Sequence, residues 1–112
     1  GNGTQSITTP GWQPKVVEIH AACDNGNTGA GFGSHSLGRS DGTIQTCMYW
    51  VVTSGCNEGT GQHTTNCVYL STFDDSNGTY GTATIAMTAT GFDITWASFG
   101  AYDIKFTWTA YA

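Results

Sequence analysis

The stretch GTATIAMTATGFDITW, from Gly81 to Trp96, constrains the fold of this chain more than any other part of the sequence. Apolar residues alternate with threonines, a short Thr-Gly break follows, and the alternation then resumes. Successive side chains of a β-strand point to opposite faces, so this period of two predicts two strands joined by a tight turn. The stretch holds no nucleophile with its base, no metal-ligand cluster and no phosphate-binding loop, and its information is structural.

The composition extends the same expectation to the whole chain of 112 residues. Charged residues make up only 10% of it, glycine occurs 16 times, and leucine occurs only at Leu37 and Leu70. Few charges, few leucines and many threonines, glycines and aromatic residues are typical of an all-β domain with many turns. A chain of this length forms one domain, which we expect to span residues 1–112.

Alternating segments separated by turn residues predict seven or eight strands and no helix. The predicted strands are TQSITT (4–9), KVVEIHAAC (15–23), FGSHSLG (32–38), TIQTCMYWVVT (43–53), NCVYLSTF (66–73), the two strands of 81–96, and AYDIKFTWTAYA (101–112). The glycine-rich segment SGCNEGTGQHTT (54–65) is expected to be a loop. The pattern favours an antiparallel β-sandwich of jelly-roll type, with a closed barrel as the alternative.

Several predicted strands also indicate which side chains share a face. The shared faces are Val17, Ile19, Ala21 and Cys23 in 15–23; Ile44, Met48, Trp50 and Val52, with Cys47, Tyr49 and Val51 opposite, in 43–53; and Tyr102, Ile104, Phe106, Trp108 and Ala110 in 101–112. The other face of the last strand is polar, so we expect its sheet to show one side to water or to a partner. Trp50, Trp96 and Trp108 fall on apolar faces, which predicts that they lie in the core.

The charge balance argues against nucleic-acid and membrane-surface partners. The formal net charge is -5, and the cationic side chains apart from histidine are Lys15, Arg39 and Lys105. So few cations cannot neutralise a phosphate backbone, and an anionic membrane surface is disfavoured for the same reason. No apolar run approaches the roughly 18 residues of a membrane-spanning helix.

The four cysteines, Cys23, Cys47, Cys56 and Cys67, permit two disulfides in three connectivities. Strand parity allows Cys47 to meet Cys67 as a cross-strand pair, while Cys56 could reach Cys23 or Cys67. We expect at least one disulfide, which would stabilise so small a domain by about 2–4 kcal/mol. The alternative is that Cys23 and Cys47 are small buried hydrophobic residues. A disulfide fits an extracellular setting and does not fit a cytosolic one.

No pattern of catalytic or metal-ligating residues emerges, so we expect no enzyme activity, no cofactor and no metal site. The spacings of His20, His35 and His63 match no compact zinc motif. Asp74 and Asp75 are adjacent and point apart in an extended chain, whereas paired acid–base catalysis needs two carboxyl groups across a substrate. An enzyme would need a cleft that gathers histidines and carboxylates from distant positions.

The aromatic residues supply the candidate binding site. A sugar platform needs an exposed Trp or Tyr face with polar side chains beside it. Trp12 and Tyr49 are the best exposed candidates, next to the loop amides Asn57, Gln62 and Asn66. These five residues form the predicted binding site, with a glycan as the ligand.

Several motifs, taken in order, resemble a known family. GWQPKVVEI (11–19) is similar to a G-F-x-P-K-x-V-x-I pattern, and GFGSHSLGRSDGTIQTCMYW (31–50) resembles a glycine-rich turn followed by D-G-T-x-Q. ATIAMTATGFDITW (83–96) is similar to A-T-I-x-x-[FM]-x-x-x-G-F-[TD]-[IL]-x-W, and IKFTWTAYA (104–112) resembles the terminal strand that follows it. In this order the motifs resemble a β-domain that recurs in tailed-bacteriophage structural proteins and related environmental viral sequences.

The resemblance implies a virion component, such as a capsid decoration, tail or fibre domain, located in the virion or outside the cell. It implies copies of the same chain or other virion proteins as partners, and it supplies no catalytic residues. The segment SGCNEGTGQHTTNC (54–67) departs from the family and could have a role of its own. A lectin-like module that binds a carbohydrate or a receptor is the alternative hypothesis.

Overall fold

The computed structural model describes residues 3–23, 33–52, 58–71, 79–98 and 104–112, and these residues form β-strands joined by turns. The strands are β1 (Gly3–Ile7), β2 (Val16–Cys23), β3 (Gly33–Ser40), β4 (Gln45–Val52), β5 (Glu58–His63), β6 (Val68–Ser71), β7 (Thr79–Met87), β8 (Phe92–Ser98) and β9 (Ile104–Tyr111). In these ranges no helix has the length and apolar character needed to cross a membrane.

The strands form two antiparallel sheets that pack as a sandwich, which confirms the predicted fold class. One sheet has four strands in the order β1-β8-β7-β6, and the other has five in the order β5-β4-β3-β2-β9. Most neighbours follow one another along the chain, so each sheet is a meander to which β1 or β9 is added. The structure therefore has the two packed layers of the predicted jelly-roll type, and its strand order is that of two meanders.

The described residues contain nine strands where the sequence predicts seven or eight, and the additional strand is β5. Its sequence, EGTGQH, has no apolar residue and lacks the period of two that identifies a strand. Pairing with β4 places Gly61 opposite Tyr49, and the Tyr49 ring fills the space that a side chain at Gly61 would take. The tertiary structure thus makes a strand of a segment whose own pattern predicts a loop.

The core lies between the sheets and is built from the inward faces of their central strands. The predicted inner face of β2 is confirmed, because Val17, Ile19, Ala21 and Cys23 are all buried. The four-stranded sheet contributes Val68, Leu70, Ala83, Ile85, Phe92 and Ile94, which are buried against them.

Two of the three tryptophans expected in the core pack against it. Trp108 meets Phe92 edge to face with 5.2 Å between ring centroids, and Trp96 lies 5.3 Å from Phe106. The prediction for Trp50 is wrong. Both faces of β4 are apolar, and the face that carries Trp50 is turned away from the other sheet.

The two sheets approach each other closely at Gly38 on β3. A Cβ atom at this position would overlap the carbonyl group of Cys67 and press on the side chain of Cys47. The N–H of Tyr69 also donates to the hydroxyl of Ser36 at 3.1 Å, so the start of β6 lies directly on β3. Only glycine leaves room for such an approach of another backbone.

The D-G-T-x-Q motif forms the turn between β3 and β4. The Asp41 carboxylate accepts the N–H groups of Ile44 and Thr43 at 2.7 and 2.9 Å, and these two bonds lower the pKa of Asp41. Gly42 adopts a φ of 94°, a conformation that favours glycine, and it lies against Met87. The residues of the motif therefore form a turn that contacts Met87 of the opposite sheet.

Gln45, the last residue of the motif, joins the two sheets by a pair of hydrogen bonds. Its Nε2 donates to the Ile85 carbonyl at 2.8 Å, and the Ile85 N–H donates to its Oε1 at 3.0 Å. At the same end, the Gly11 N–H donates to the carbonyls of Thr8 at 3.1 Å and Thr90 at 2.9 Å. Polar contacts thus close this end of the sandwich.

We predict that Gly38→Ala destabilises the protein by about 3 kcal/mol, because the added methyl group forces the two sheets apart. The free energy of unfolding, taken from urea titrations followed by tryptophan fluorescence, measures this loss. Gly11→Ala is the control, because open space surrounds Gly11 and the variant suffers only the cost of a positive φ, about 1 kcal/mol. Equal losses in the two variants would contradict the close approach at Gly38.

Candidate functional site

The outer face of the five-stranded sheet carries the candidate site. The register aligns Leu37 on β3 with His20 on β2 and with Met48 on β4. In the adjacent row, His35 lies opposite Trp50. We call His20, His35, Leu37, Met48 and Trp50 the outer patch. Side chains alternate along each strand, so the patch points away from the core.

Two members of the outer patch are large apolar side chains that are exposed to solvent. Leu37 and Met48 keep 46% and 58% of their surface exposed, and Tyr111, on the same face, keeps 46%. These three are the majority of the five exposed large hydrophobic side chains in the described part of the chain. Apolar side chains gathered on one face mark an interaction surface, whereas single scattered ones do not.

Aromatic rings form the rigid half of the outer patch. The His35 ring stacks on Trp50 with 5.2 Å between centroids and 6° between the ring planes. His20 lies 6.0 Å from His35 and 6.4 Å from Trp50. Aromatic pairs of this kind contribute about 0.5–1.5 kcal/mol beyond the area that they bury, so the three rings hold one another in place.

The environment of His35 favours its neutral form. Partial burial, and secondarily the neighbouring His20, lowers the pKa of His35. Its Nδ1 atom is buried without a hydrogen-bond partner among the described residues, and a protonated imidazole would need an acceptor there. The other ionisable groups that β2, β3 and β9 place on this face are Glu18, Arg39, Lys105 and Tyr111.

Polar side chains surround the outer patch. A shallow groove of about 360 Å³ runs over its apolar half and is also lined by Glu18, Arg39 and Gln62. The Tyr111 hydroxyl donates to the Glu18 carboxylate at 3.3 Å. An apolar centre with a polar rim is typical of a protein interface. The same polar groups could also orient a small polar ligand.

The described members of the predicted binding site do not share one surface. Trp12 is exposed in the connection between β1 and β2. Tyr49 and Gln62 point to opposite faces of the sheet. Gln62 pairs with Met48 and shares its face, and the side chains of Met48 and Tyr49 alternate along β4. Asn66 is half-buried in the connection between β5 and β6, and Asn57 lies outside the described residues.

Sequence reasoning missed the outer patch because its three apolar members have the character of core residues. Leu37, Met48 and Trp50 are large and apolar, and the sequence places Met48 and Trp50 on an apolar face of their strand. The available signal was that β4 is apolar on both faces. A strand in a two-layer sandwich can turn only one of its faces to the core, so the other face must lie at the surface.

His63 belongs to a separate aromatic cluster between the sheets. Its ring stacks on Tyr69 at 3.8 Å and lies 5.8 Å from Tyr49, and the two tyrosine rings are 4.5 Å apart. His20 and His35 therefore share a surface that His63 does not reach. No group of three or more His, Cys, Asp or Glu side chains in the described ranges is placed to hold a metal ion.

The described cysteines are part of the core. Cys47 and Cys67 are buried free thiols, Cys23 is buried with them, and Cys56 lies outside the described residues. The Cys67 thiol donates to the Ala83 carbonyl at 3.3 Å. Burial, with the neighbouring Cys47, raises the pKa of Cys67 to about 12, and burial also raises the pKa of Cys47. Both are weak nucleophiles, since the thiolate is the reactive form.

Comparisons with known proteins found no relative of this chain. No family model, no curated protein and no solved structure matches the chain. The resemblance to virion β-domains therefore depends on the sequence motifs alone.

We predict that the protein loses stability as the pH falls below about 6.5, the ordinary pKa of histidine. Folding lowers the pKa of His35, so the unfolded chain binds a proton more readily, and the loss is complete below the folded-state pKa. Urea titrations between about pH 7.5 and pH 5 measure the dependence. His35→Gln should flatten it, and His20→Gln should flatten it in part. An unchanged slope in His35→Gln would show that another group causes the loss.

We predict that Cys47 and Cys67 resist alkylation by iodoacetamide in the folded protein at about pH 8. The reason is their burial and the raised pKa of each thiol. Peptide mapping by mass spectrometry without reduction measures both alkylation and disulfide formation, and protein unfolded in guanidinium, where both thiols should react, is the control. A peptide pair joined through Cys47 and Cys67 would contradict this assignment.

Proposed function

We propose that this chain is a non-enzymatic structural domain of a virion, and that it assembles with further copies of itself through the outer patch. The observation that carries the proposal is the exposed apolar centre of the five-stranded sheet, where Leu37 and Met48 lie beside the stacked rings of His35 and Trp50. A face of this kind favours association, because a partner that covers it removes apolar surface from water.

The rim of the outer patch supports a second copy as the partner. Glu18 and Arg39 lie opposite each other on the neighbouring strands β2 and β3. In a face-to-face pair with its two-fold axis near these residues, Glu18 of one copy approaches Arg39 of the other, and the same contact occurs twice. Complementary charges at the rim would then fix the orientation in which the apolar centres pack.

The virion part of the proposal is supported by the sequence motifs and by what their residues do. Gly11 and Gly42 form turns at one end of the sandwich, and Gln45 joins the two sheets there by hydrogen bonds. Motif residues that build the fold suit a building block or a decoration domain, whose function resides in its surfaces. The raised pKa values of Cys47 and Cys67 also disfavour a cysteine nucleophile.

A carbohydrate- or receptor-binding module is the second candidate, and the groove over the outer patch favours it. Glu18, Arg39 and Gln62 offer hydrogen-bond donors and acceptors beside an apolar surface. A sugar uses such polar groups for orientation and an apolar or aromatic face for contact. In this case the site differs from the one expected from sequence, because neither Trp12 nor Tyr49 lines the groove.

We predict that the protein has a solution mass above that of a monomer at about 0.1–1 mM, and that Met48→Lys reduces it to a monomer. The lysine would place a desolvated charge at the centre of the interface. Because Met48 is 58% exposed in the single chain, the free energy of unfolding should change by no more than about 0.5 kcal/mol. Light scattering across a concentration series measures the mass.

Thr95→Lys is the matched control, because it adds the same charge at an exposed position of the four-stranded sheet. It should keep the mass of the unsubstituted protein. A protein that stays monomeric across the series would overturn assembly through copies of itself, and an oligomer that survives Met48→Lys would overturn the outer patch as its interface. In the monomeric case, glycan-array binding that Gln62→Ala abolishes would support the second candidate.

A further inference from the structure

A second surface lies at the open edge of β9. This strand is the last in the five-stranded sheet, and β2 is the one described strand that pairs with it. The pairing is continuous from Ile104 to Tyr111, and the strand contains no proline. Edge strands usually carry a proline, a bulge or several charges that prevent pairing with other chains. β9 has one charged residue, Lys105.

One hydrogen bond shows how the main-chain groups of β9 are directed. The Lys15 N–H donates to the Tyr111 carbonyl at 2.8 Å, so this carbonyl faces β2. The main-chain groups of successive residues alternate in direction along a strand. Phe106, Trp108 and Ala110 therefore direct their N–H and C=O groups to the open edge. The same three residues turn their side chains towards the other sheet.

The four-stranded sheet projects beyond this edge. The ring contacts of Trp96 and Trp108 place β8 over β9, and β1 lies on the far side of β8. Gln5 of β1 pairs with the buried Ile94 and so faces inward, yet it is exposed. No described strand therefore covers β1 at Gln5. Among the described residues, none fills the space beside β9, and one more strand would fit there at the usual spacing of about 4.8 Å.

We infer that this space binds an extended segment of another polypeptide, which adds to β9 as an antiparallel strand. The segment would turn apolar side chains at alternate positions towards Ile7, Trp96 and Phe106, which are only partly buried. Its polar face would lie beside Lys105, which favours an acidic residue there. Main-chain hydrogen bonds supply affinity in this mode of recognition, and the alternate side chains supply specificity.

A single segment fits this edge better than the edge of a second sandwich does. β1 projects over the position that an added strand takes. A second copy that paired through its own β9 would bring its β8 into the same space, and the two four-stranded sheets would collide. An isolated segment carries no second layer and avoids the collision. The inference is independent of the outer patch, which lies on the outer face of the five-stranded sheet.

The test is a titration of the isotope-labelled full chain with the synthetic peptide Thr-Val-Thr-Val-Asp-Val-Thr-Val-Thr, followed by nuclear magnetic resonance. We expect saturable amide shifts, and hydrogen exchange slowed at least about tenfold, at Phe106, Trp108 and Ala110. The control peptide is identical except for N-methyl groups on its valines. These valines would pair with the inward-facing residues of β9, so the methyl groups block the hydrogen bonds and should weaken binding at least about tenfold.

Two variants separate this edge from the outer patch. Ala110→Pro removes one outward N–H and should weaken peptide binding about tenfold, whereas Met48→Lys should leave it unchanged. If Ala110→Pro does not fold, the two peptides decide the question on the unsubstituted protein. Equal binding of both peptides, no saturable shift, or shifts confined to β5 and β6 would overturn the inference.

Discussion

The contact between Gly38 and the backbone of Cys67 sets how the two sheets meet, and the rest of the sandwich depends on it. Packed sheets usually lie about 10 Å apart, with side chains filling the space between them. At this point β3 carries no side chain, and the chain that enters β6 takes its place. Val68 and Leu70 can then be buried on the inner face of β6. The absence of a side chain at Gly38 thus decides where β6, the short edge strand, joins the core.

Polar groups complete the junction at the neighbouring end of the sandwich. β6 begins to pair with β7 at Val68 and Ala83, so Ile85 lies beyond its reach. The Gln45 amide supplies both the donor and the acceptor that a strand would have offered to Ile85. Buried main-chain groups without partners are costly, which explains why a glutamine closes the D-G-T-x-Q turn. The motif letters that resemble virion β-domains therefore have a structural reason in this chain.

The sandwich presents two surfaces of different chemistry, the outer patch and the edge of β9. The outer patch offers side chains, with apolar residues and stacked rings inside a charged rim. The edge of β9 offers main-chain groups beside half-buried aromatic rings. The two differ in what a partner needs, since the patch fits a second folded face and the edge fits an extended segment. A domain with both could join copies of itself and still bind a further chain.

The sequence by itself determined the inner faces of β2 and β9, because the pleat imposes a period of two and in each strand one face is wholly apolar while the other carries polar residues. It could not assign β4, which is apolar on both faces. Contacts with β5 and β6 decided that Tyr49 turns inward and that Met48 and Trp50 turn outward, where they form the candidate site. Nor could it find β5, which has no apolar face and becomes a strand through its pairing with β4. Where one face of a segment is apolar, its own pattern decides its position. Where both faces or neither are apolar, the deciding free energy lies in contacts with distant strands, and only the tertiary structure contains those contacts.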